Sequence, residues 1–274
     1  MIIAENVLWR SAARSRNADS MQRFSIYRTC ARNAERALRL FDDTLMPLCC
    51  VFCGARSSPE NQRTCRGCLA DLPWIKNACP RCAAPLETTL PVGVDCARCQ
   101  KRPPPFVVTV APLRYEFPVD AGLKALKFGR RLHYAPAFAA LLATRSGRLP
   151  STIDALLPVP LHWRRQMRRG FNQARELCKP LARDFGLPIV DVAKRRRFTH
   201  YQSGLSAAER RTNLRHAFDV AIEPRYRHIV IVDDVVTTGE TTRQLANALI
   251  ASGVPQVSVL AVARAVRFSR RRPD

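Results

Sequence analysis

The chain has 274 residues, 47% of them hydrophobic and 24% charged, with a formal net charge of +23. At ~150 residues per domain the length predicts two domains, the apolar fraction allows a buried core, and no run of about 18 apolar residues is present for a membrane span. Most of the positive excess lies in residues 106–274, which points either to polyanionic partners (phosphorylated metabolites, nucleic acid) or to a solvated basic surface of scattered arginines.

The N-terminal stretch MIIAENVLWRSAARSRNADS holds no apolar segment of secretory-signal length. Residues 32–45 predict a helix, with Leu38, Phe41 and Leu45 on one stripe and Pro47 ending it. Residues 1–46 thus read as a basic extension and helix.

Of the 11 cysteines, eight form four CxxC pairs: Cys50/Cys53, Cys65/Cys68, Cys79/Cys82 and Cys96/Cys99. Without an export signal these point to metal binding in a reducing compartment rather than to disulfides, so a cytoplasmic protein is expected. Each CxxC turn presents two thiolates on one side, and tetrahedral Zn²⁺ needs two such turns, so eight ligands suit two structural sites. Redox CxxC motifs occur singly beside a βαβ pattern, which does not match this spacing. Neighbouring knuckles are expected to pair, first with second and third with fourth. Cys50 is preferred to Cys49 because Gly54 follows Cys53, as in a CxxCG knuckle. Cys30 and Cys178 read as spare, the latter on a core-facing stripe.

Residues 47–105 are therefore a small zinc-ribbon domain, and the proline-rich KRPPPF at 101–106 leads into a third region, 106–274. Here strands are predicted at Val107–Val110, Ile153–Pro160, Ile189–Val192, Ile229–Val232 and Val257–Val262. Helices are predicted at Ala121–Phe128, Pro136–Thr144, Phe171–Phe185 and Thr241–Ser252. Ala174, Leu177, Cys178, Leu181 and Phe185 share one face of the third helix, with Pro180 as a candidate kink and Gly186 as its C-cap. Ser206 and Glu209 form a capping box. Alternating strands and helices predict an α/β fold, a parallel sheet with helices on both faces.

The segment HIVIVDDVVTTGETT, 228–242, concentrates the chemistry. An apolar strand delivers Asp233 and Asp234; Thr237, Thr238 and Gly239 follow, and a helix begins. Ligands bind beyond the carboxyl ends of such strands, and a helix N-terminus attracts phosphate. Carboxylates beside a phosphate make sense as acceptors for ribose hydroxyls. No GxxxxGK[ST] is present, which argues against a P-loop nucleotidase.

The segment resembles the 5-phosphoribosyl-1-pyrophosphate (PRPP) signature of type I phosphoribosyltransferases. More narrowly, PVPLHWRRQMRRGFNQARELC (158–178), QSGLSAAERRTNLRHAF (202–218) and VDDVVTTGET, in that order, are similar to the ComF family of competence-associated proteins. With the cysteine pairs, that likeness covers roughly residues 40–265, and ComF-like chains often carry a double zinc ribbon. The resemblance implies a type I phosphoribosyltransferase-like sheet in which Asp233 and Asp234 hold the ribose hydroxyls. Thr237, Thr238, Gly239 and Thr241 would cradle the 5-phosphate. Arg165, Arg169 and Asn172 would face the pyrophosphate, and a flap at 198–218 would bring Gln202, Arg211 and Asn213. Mg²⁺ would accompany PRPP.

No residue is assignable as a catalytic acid or an acceptor-binding base. Two functions therefore stand. One is a PRPP-binding module linked to single-stranded DNA uptake, with competence-machinery proteins as partners. The other is an active phosphoribosyltransferase (a glycosyltransferase) passing phosphoribose to an unidentified acceptor in nucleotide or related metabolism. Arginines at 164–169, 195–197, 210–215 and 264–272, with Trp163, Phe171, Phe198 and Tyr201 nearby, either bind single-stranded nucleic acid or serve the surface and the core.

Overall fold

The computed structural model describes residues 48–57, 63–161, 163–195 and 218–265. The helix expected at 32–45, the Ser206–Glu209 capping box, Phe198 and Tyr201 lie outside them. The helices are α1 (Arg66–Asp71), α2 (Ala97–Lys101), α3 (Val119–Gly129), α4 (Tyr134–Ala143), α5 (Trp163–Arg169), α6 (Gln173–Phe185) and α7 (Glu240–Ala251). The strands are β1 (Thr109–Val110), β2 (Leu113–Arg114), β3 (Ala155–Pro158), β4 (Ala193–Arg195), β5 (Phe218–Val220), β6 (His228–Val236) and β7 (Gln256–Arg264).

The main sheet runs β1-β7-β6-β3, with β2 continuing the β1 edge along β7, and every pair in it is parallel. Pro112 has no N–H to donate and stands where the edge strand breaks in two. The two central strands are near-continuous apolar runs, as a sheet covered on both faces requires. Ile229 and Ile231 enter the core layer that includes Leu245 and Leu249 of α7. Val230 and Val232 enter the opposite layer with Phe138, Leu177 and Leu181 of α4 and α6. Each such leucine, fully buried, contributes about 1.5–3 kcal/mol relative to exposure.

Helix α6 carries the expected stripe: Ala174, Leu177, Cys178 and Leu181 are buried, Phe185 packs half-buried at its end, and Gly186 adopts the left-handed C-cap with φ 66°. Pro180 sits inside a helix that continues past it. Four expectations change. The strand expected to stop at Val232 runs to Val236, because β7 supplies ladder partners as far as Val236↔Arg264. The stretch Ile189–Val192 reduces to one parallel bridge, Leu156↔Ile189, since Pro188 cannot extend the ladder. Residues 193–195 instead form an antiparallel pair with β5. The loop expected after the β3 region contains helix α5.

The cysteine-rich segment packs on the edge of this sheet within the compact unit Cys49–Asp274. Thr109 N–H donates to Pro80 O at 3.1 Å and its hydroxyl to Arg81 O at 2.7 Å. Arg114 N–H donates to Pro73 O and Ile75 N–H to Pro112 O. Leu72 is buried with Leu113 in the sheet's core, and Phe52 meets Tyr134 and Phe138 edge-on.

At the start of β6, His228 is buried, with its ring nitrogens against Ser258 Oγ at 2.8 Å and Thr152 Oγ1 at 3.3 Å. Burial pushes its pKa down, partly opposed by Asp154. The folded state therefore binds fewer protons than the unfolded one below the ordinary histidine value of about 6.5, and stability falls as pH drops through that window. Denaturation midpoints at pH 7.5 and 5.5 should show a loss in the parent that is smaller in His228→Gln; equal losses would assign the pH dependence to other groups.

Candidate functional site: two cysteine clusters and the end of the central strand

The cysteine pairs fold as a repeated unit. Cys50 N–H donates to Ala55 O and Gly54 N–H to Cys50 O; Cys79 N–H donates to Ala84 O and Ala83 N–H to Cys79 O. Gly54 takes φ 77° after its knuckle, and Ala83 is forced to φ 53° at the equivalent place. The second knuckle of each unit sits at a helix start, with Cys65 preceding α1 and Cys96 preceding α2. Neighbouring knuckles converge: Cys50, Cys53, Cys65 and Cys68 form one cluster, and Cys79, Cys82, Cys96 and Cys99 the other, with sulfurs within 4.8 Å of one another. Cys49 faces outward, beside the cluster rather than in it.

These clusters fit zinc. A tetrahedral ion with Zn–S bonds of about 2.3 Å places its ligands about 3.8 Å apart, and Cys53–Cys65 and Cys82–Cys96 are separated by 3.6 and 3.7 Å. The thiols also need a dication. Burial acts against Cys50 ionising, but N–H groups of Cys65, Cys53 and Phe52 bring it down to about 6. Burial and neighbouring thiolates push Cys82 up to about 11, and raise Cys68 and Cys99 as well. Four such sulfurs stay deprotonated together only around a cation.

The other candidate site lies where β6 leaves the sheet. Successive strand residues face opposite sides. Asp234 shares the side of Val230 and Val232 and is 4% exposed; Asp233 shares the side of Ile229 and Ile231 and is partly exposed. Asp234 pairs with Lys127 Nζ from the last turn of α3 and accepts a long contact, 3.4 Å, from Gln173 Nε2. Asp233 accepts from the Asp234 N–H at 2.8 Å. Burial, then the Asp234 charge, pushes the Asp233 carboxyl well above the usual range, with Lys127 opposing.

Beyond Val236, Thr237 and Thr238 are exposed, and Gly239, φ 78°, is the N-cap of α7. Only glycine takes that conformation readily. Thr238 Oγ1 accepts from Glu240 N–H at 3.3 Å, and Thr241 stands half-buried in the first turn. The Glu240 carboxylate is drawn along the helix by Arg243 and Gln244, away from its N-terminus.

Of the residues expected at the pyrophosphate, Arg169 bonds Gln173 Oε1 at 3.0 Å and stacks 4.9 Å from the Phe128 ring centre, so it reaches Asp234 through Gln173. Asn172 is occupied by structure at both ends: Oδ1 caps Ala174 N–H, and Nδ2 donates to Val159 O, each at 3.0 Å. Arg165 falls on α5 with its side chain outside the described residues, where Gln202, Arg211 and Asn213 also lie. Lys127, Gln173 and Arg98 were not singled out from sequence, and Arg264 only as the first residue of the basic run 264–272. Lys127 sits in LKALKFGRR, where two lysines three apart lead a helix into Gly129, Arg130 and Arg131, the one legible signal. Arg264, 6% exposed, donates to Val236 O at 2.8 Å, to Thr237 O, and to Cys82 O at 3.2 Å. Arg98 Nη2 donates to Thr238 O at 3.3 Å.

Family models match both regions: a double zinc ribbon domain over residues 41–100 and a phosphoribosyl transferase domain over residues 168–272. The "DNA utilization protein YhgH" of Escherichia coli O157:H7 is 36% identical over 80% of this chain and 98% of its own length. That of Salmonella typhi is 37% identical over the same shares. "Competence protein F" of Haemophilus influenzae is 32% identical over 79% of this chain and 96% of its own. This chain belongs to the ComF family. Its fold is a mixed α/β, phosphoribosyltransferase-type fold preceded by a double zinc ribbon. Among the described residues of this ComF chain, no helix is long and apolar enough to cross a membrane.

Elemental analysis of protein purified under reducing conditions should return close to two zinc ions per chain, and Cys96→Ser close to one. Parent protein with no zinc would contradict the assignment.

Proposed function

We propose that this ComF-family chain binds PRPP with Mg²⁺ at the end of β6 and couples that binding to the handling of single-stranded DNA. The observation that supports the first half is a juxtaposition. Two carboxylates end a buried strand, and within a few residues the chain turns into the N-terminus of a 12-residue helix through Thr237, Thr238 and Gly239. Carboxylates suit the ribose diol, and a helix N-terminus with adjacent hydroxyls suits the 5-phosphate. On the other side stand Lys127 and Arg169, with the Arg130 guanidinium 3.9 Å from where a Cβ on Gly170 would be. These cations suit a pyrophosphate, whose charge Mg²⁺ would share.

Lys127 also meets the cost that burial imposes on Asp234. A nearly buried carboxylate without a partner is costly, and the lysine holds Asp234 until a ligand re-partitions these charges. Among the described residues Asp233 has no such cation of its own, which leaves it as the acceptor for a ribose hydroxyl.

The second half rests on surface chemistry and on what the relatives are called. Phe128, Trp163 and Met167 are 64, 42 and 79% exposed, on α3 and α5 beside the exposed Arg168 and the Arg169–Phe128 stack. Cations that track a backbone interleaved with faces for stacking suit single strands. The relatives bear the names DNA utilization protein and competence protein. A cytoplasmic location follows from eight reduced cysteines on this reading. Turnover of PRPP onto a nitrogen acceptor is the alternative, and pyrophosphate release in the presence of candidate acceptors separates the two.

Asp233→Asn keeps shape and should spare folding and zinc content. Because hydrogen bonds to charged groups contribute ~1.5–3 kcal/mol, calorimetry with Mg²⁺ should show PRPP affinity falling about tenfold to hundredfold. Undiminished affinity in both Asp233→Asn and Asp234→Asn would remove the ribose-phosphate reading.

For DNA, affinity for an oligonucleotide should fall steeply with salt. Arg168→Gln should flatten the logarithmic salt slope by about one phosphate contact, while Phe128→Ala should cost ~1–3 kcal/mol with the slope unchanged. No binding at low salt would return these residues to an ordinary surface.

A further inference from the structure

Arg264 is a guanidinium buried at the end of the apolar strand β7, yet it makes no ion pair with a carboxylate among the described residues. Its partners are carbonyls. It donates to Val236 and Thr237 in the phosphate loop, to Ala265, and to Cys82 of the second cysteine cluster. Arg98, between the ligands Cys96 and Cys99, donates to the next loop carbonyl, Thr238. Two arginines thus hold three consecutive carbonyls, the first of them shared with the Ala265 N–H at 3.0 Å, and both arginines are tied to one metal cluster.

In a trans peptide the C=O and the following N–H point in opposite directions. Drawing the carbonyls of Val236, Thr237 and Thr238 toward the ribbon therefore turns the N–H groups of Thr237, Thr238 and Gly239 away from it. None of those three N–H groups has an acceptor among the described residues. Orphan donors of this kind, facing one way in a loop, form a concavity for an anion. A four-thiolate zinc centre also carries a net charge of about −2, which favours keeping both guanidinium groups against it.

We propose that Arg264 and Arg98 are positioning residues that hang the phosphate loop on the second zinc cluster, so that metal in that cluster sets the orientation of the phosphate-binding amides. The ribbon is then part of the PRPP site rather than an appendage. This rests on the reading of the loop as a phosphate site, and the test separates the two claims.

Full-length protein, Arg98→Gln, Arg264→Gln and, as a charge control, the exposed Arg225→Gln are compared. Three quantities are read: zinc content, Mg²⁺–PRPP affinity by calorimetry, and NMR order parameters of the Thr237–Gly239 amides. Arg98→Gln and Arg264→Gln should keep two zinc ions, lose about tenfold in PRPP affinity, and drop those amides from the rigid range near 0.85 to below about 0.6. Stripping zinc from the parent should lower the same order parameters, and Arg225→Gln should change nothing. Loop amides that stay rigid in both variants, or after zinc removal, would overturn the proposal. So would disorder spread evenly through the sheet, which marks general destabilisation. Arg98 is exposed, so its variant decides the matter if Arg264→Gln does not fold. A parent that binds no PRPP would sink the phosphate reading, while the order parameters would still decide whether the arginines and the metal hold the loop.

Discussion

A pair of carboxylates at the mouth of a strand buried from His228 to Val232 is the constraint around which this molecule is organised. Strand β6 must be apolar on both faces to sit between β3 and β7, and every residue from His228 to Val232 is buried. The chain then places Asp233 and Asp234 at the edge of that same apolar layer. Charge there has to be compensated or protonated. Asp234 is compensated: Lys127 comes from α3, Gln173 from α6, and Arg169 supports Gln173 from the end of α5. Asp233 has no such partner among the described residues, and burial and then the Asp234 charge raise its pKa. Three helices from different parts of the chain therefore converge on Asp234, and the basic groups they bring make a crevice suited to a polyanion.

The opposite requirement holds one turn further on. Loop carbonyls that leave a parallel sheet need donors, and here two arginines supply them, joined at Val236 O by the Ala265 N–H. Arg264 belongs to β7 and Arg98 to a metal knuckle, so satisfying the loop joins the α/β layers to the ribbon. The ribbon's other contacts, Thr109 with Pro80 and Arg81, and Phe52 with Tyr134 and Phe138, spread the joint along one sheet edge. A module this small cannot build a core of its own without metal, and it borrows part of one from the sheet it leans on.

The elements legible in advance are those in which local pattern and tertiary demand agree. The α6 stripe, its Gly186 cap and the parallel sheet follow from spacings of three and four, from one left-handed position and from alternating strands and helices, whereas the CxxC spacing marks the knuckles without fixing which of them pair. Strand lengths were less legible. β6 outran its apolar run because Asp233 and Asp234 look like loop residues until β7 is seen to pair beside them. Asn172 looked like a ligand contact, although an asparagine one residue before an amphipathic helix is also what a cap requires, and both of its polar ends serve that junction. Lys127 and the loop contacts of Arg264 were illegible for another reason. A single cation on a helix or at a strand end carries no local signature, and its role is decided by which acceptor the fold brings within 3 Å or so.

The most direct test of the central claim is a crystal structure of the zinc-loaded protein grown with Mg²⁺ and PRPP. The expected density places the 5-phosphate on the amides of Thr237 to Thr241, with a ribose hydroxyl within hydrogen-bonding distance of Asp233. The pyrophosphate should lie toward Lys127 and Arg169, with the Lys127–Asp234 pair loosened. PRPP found elsewhere, or absent at saturating concentration with that pair intact, would contradict it.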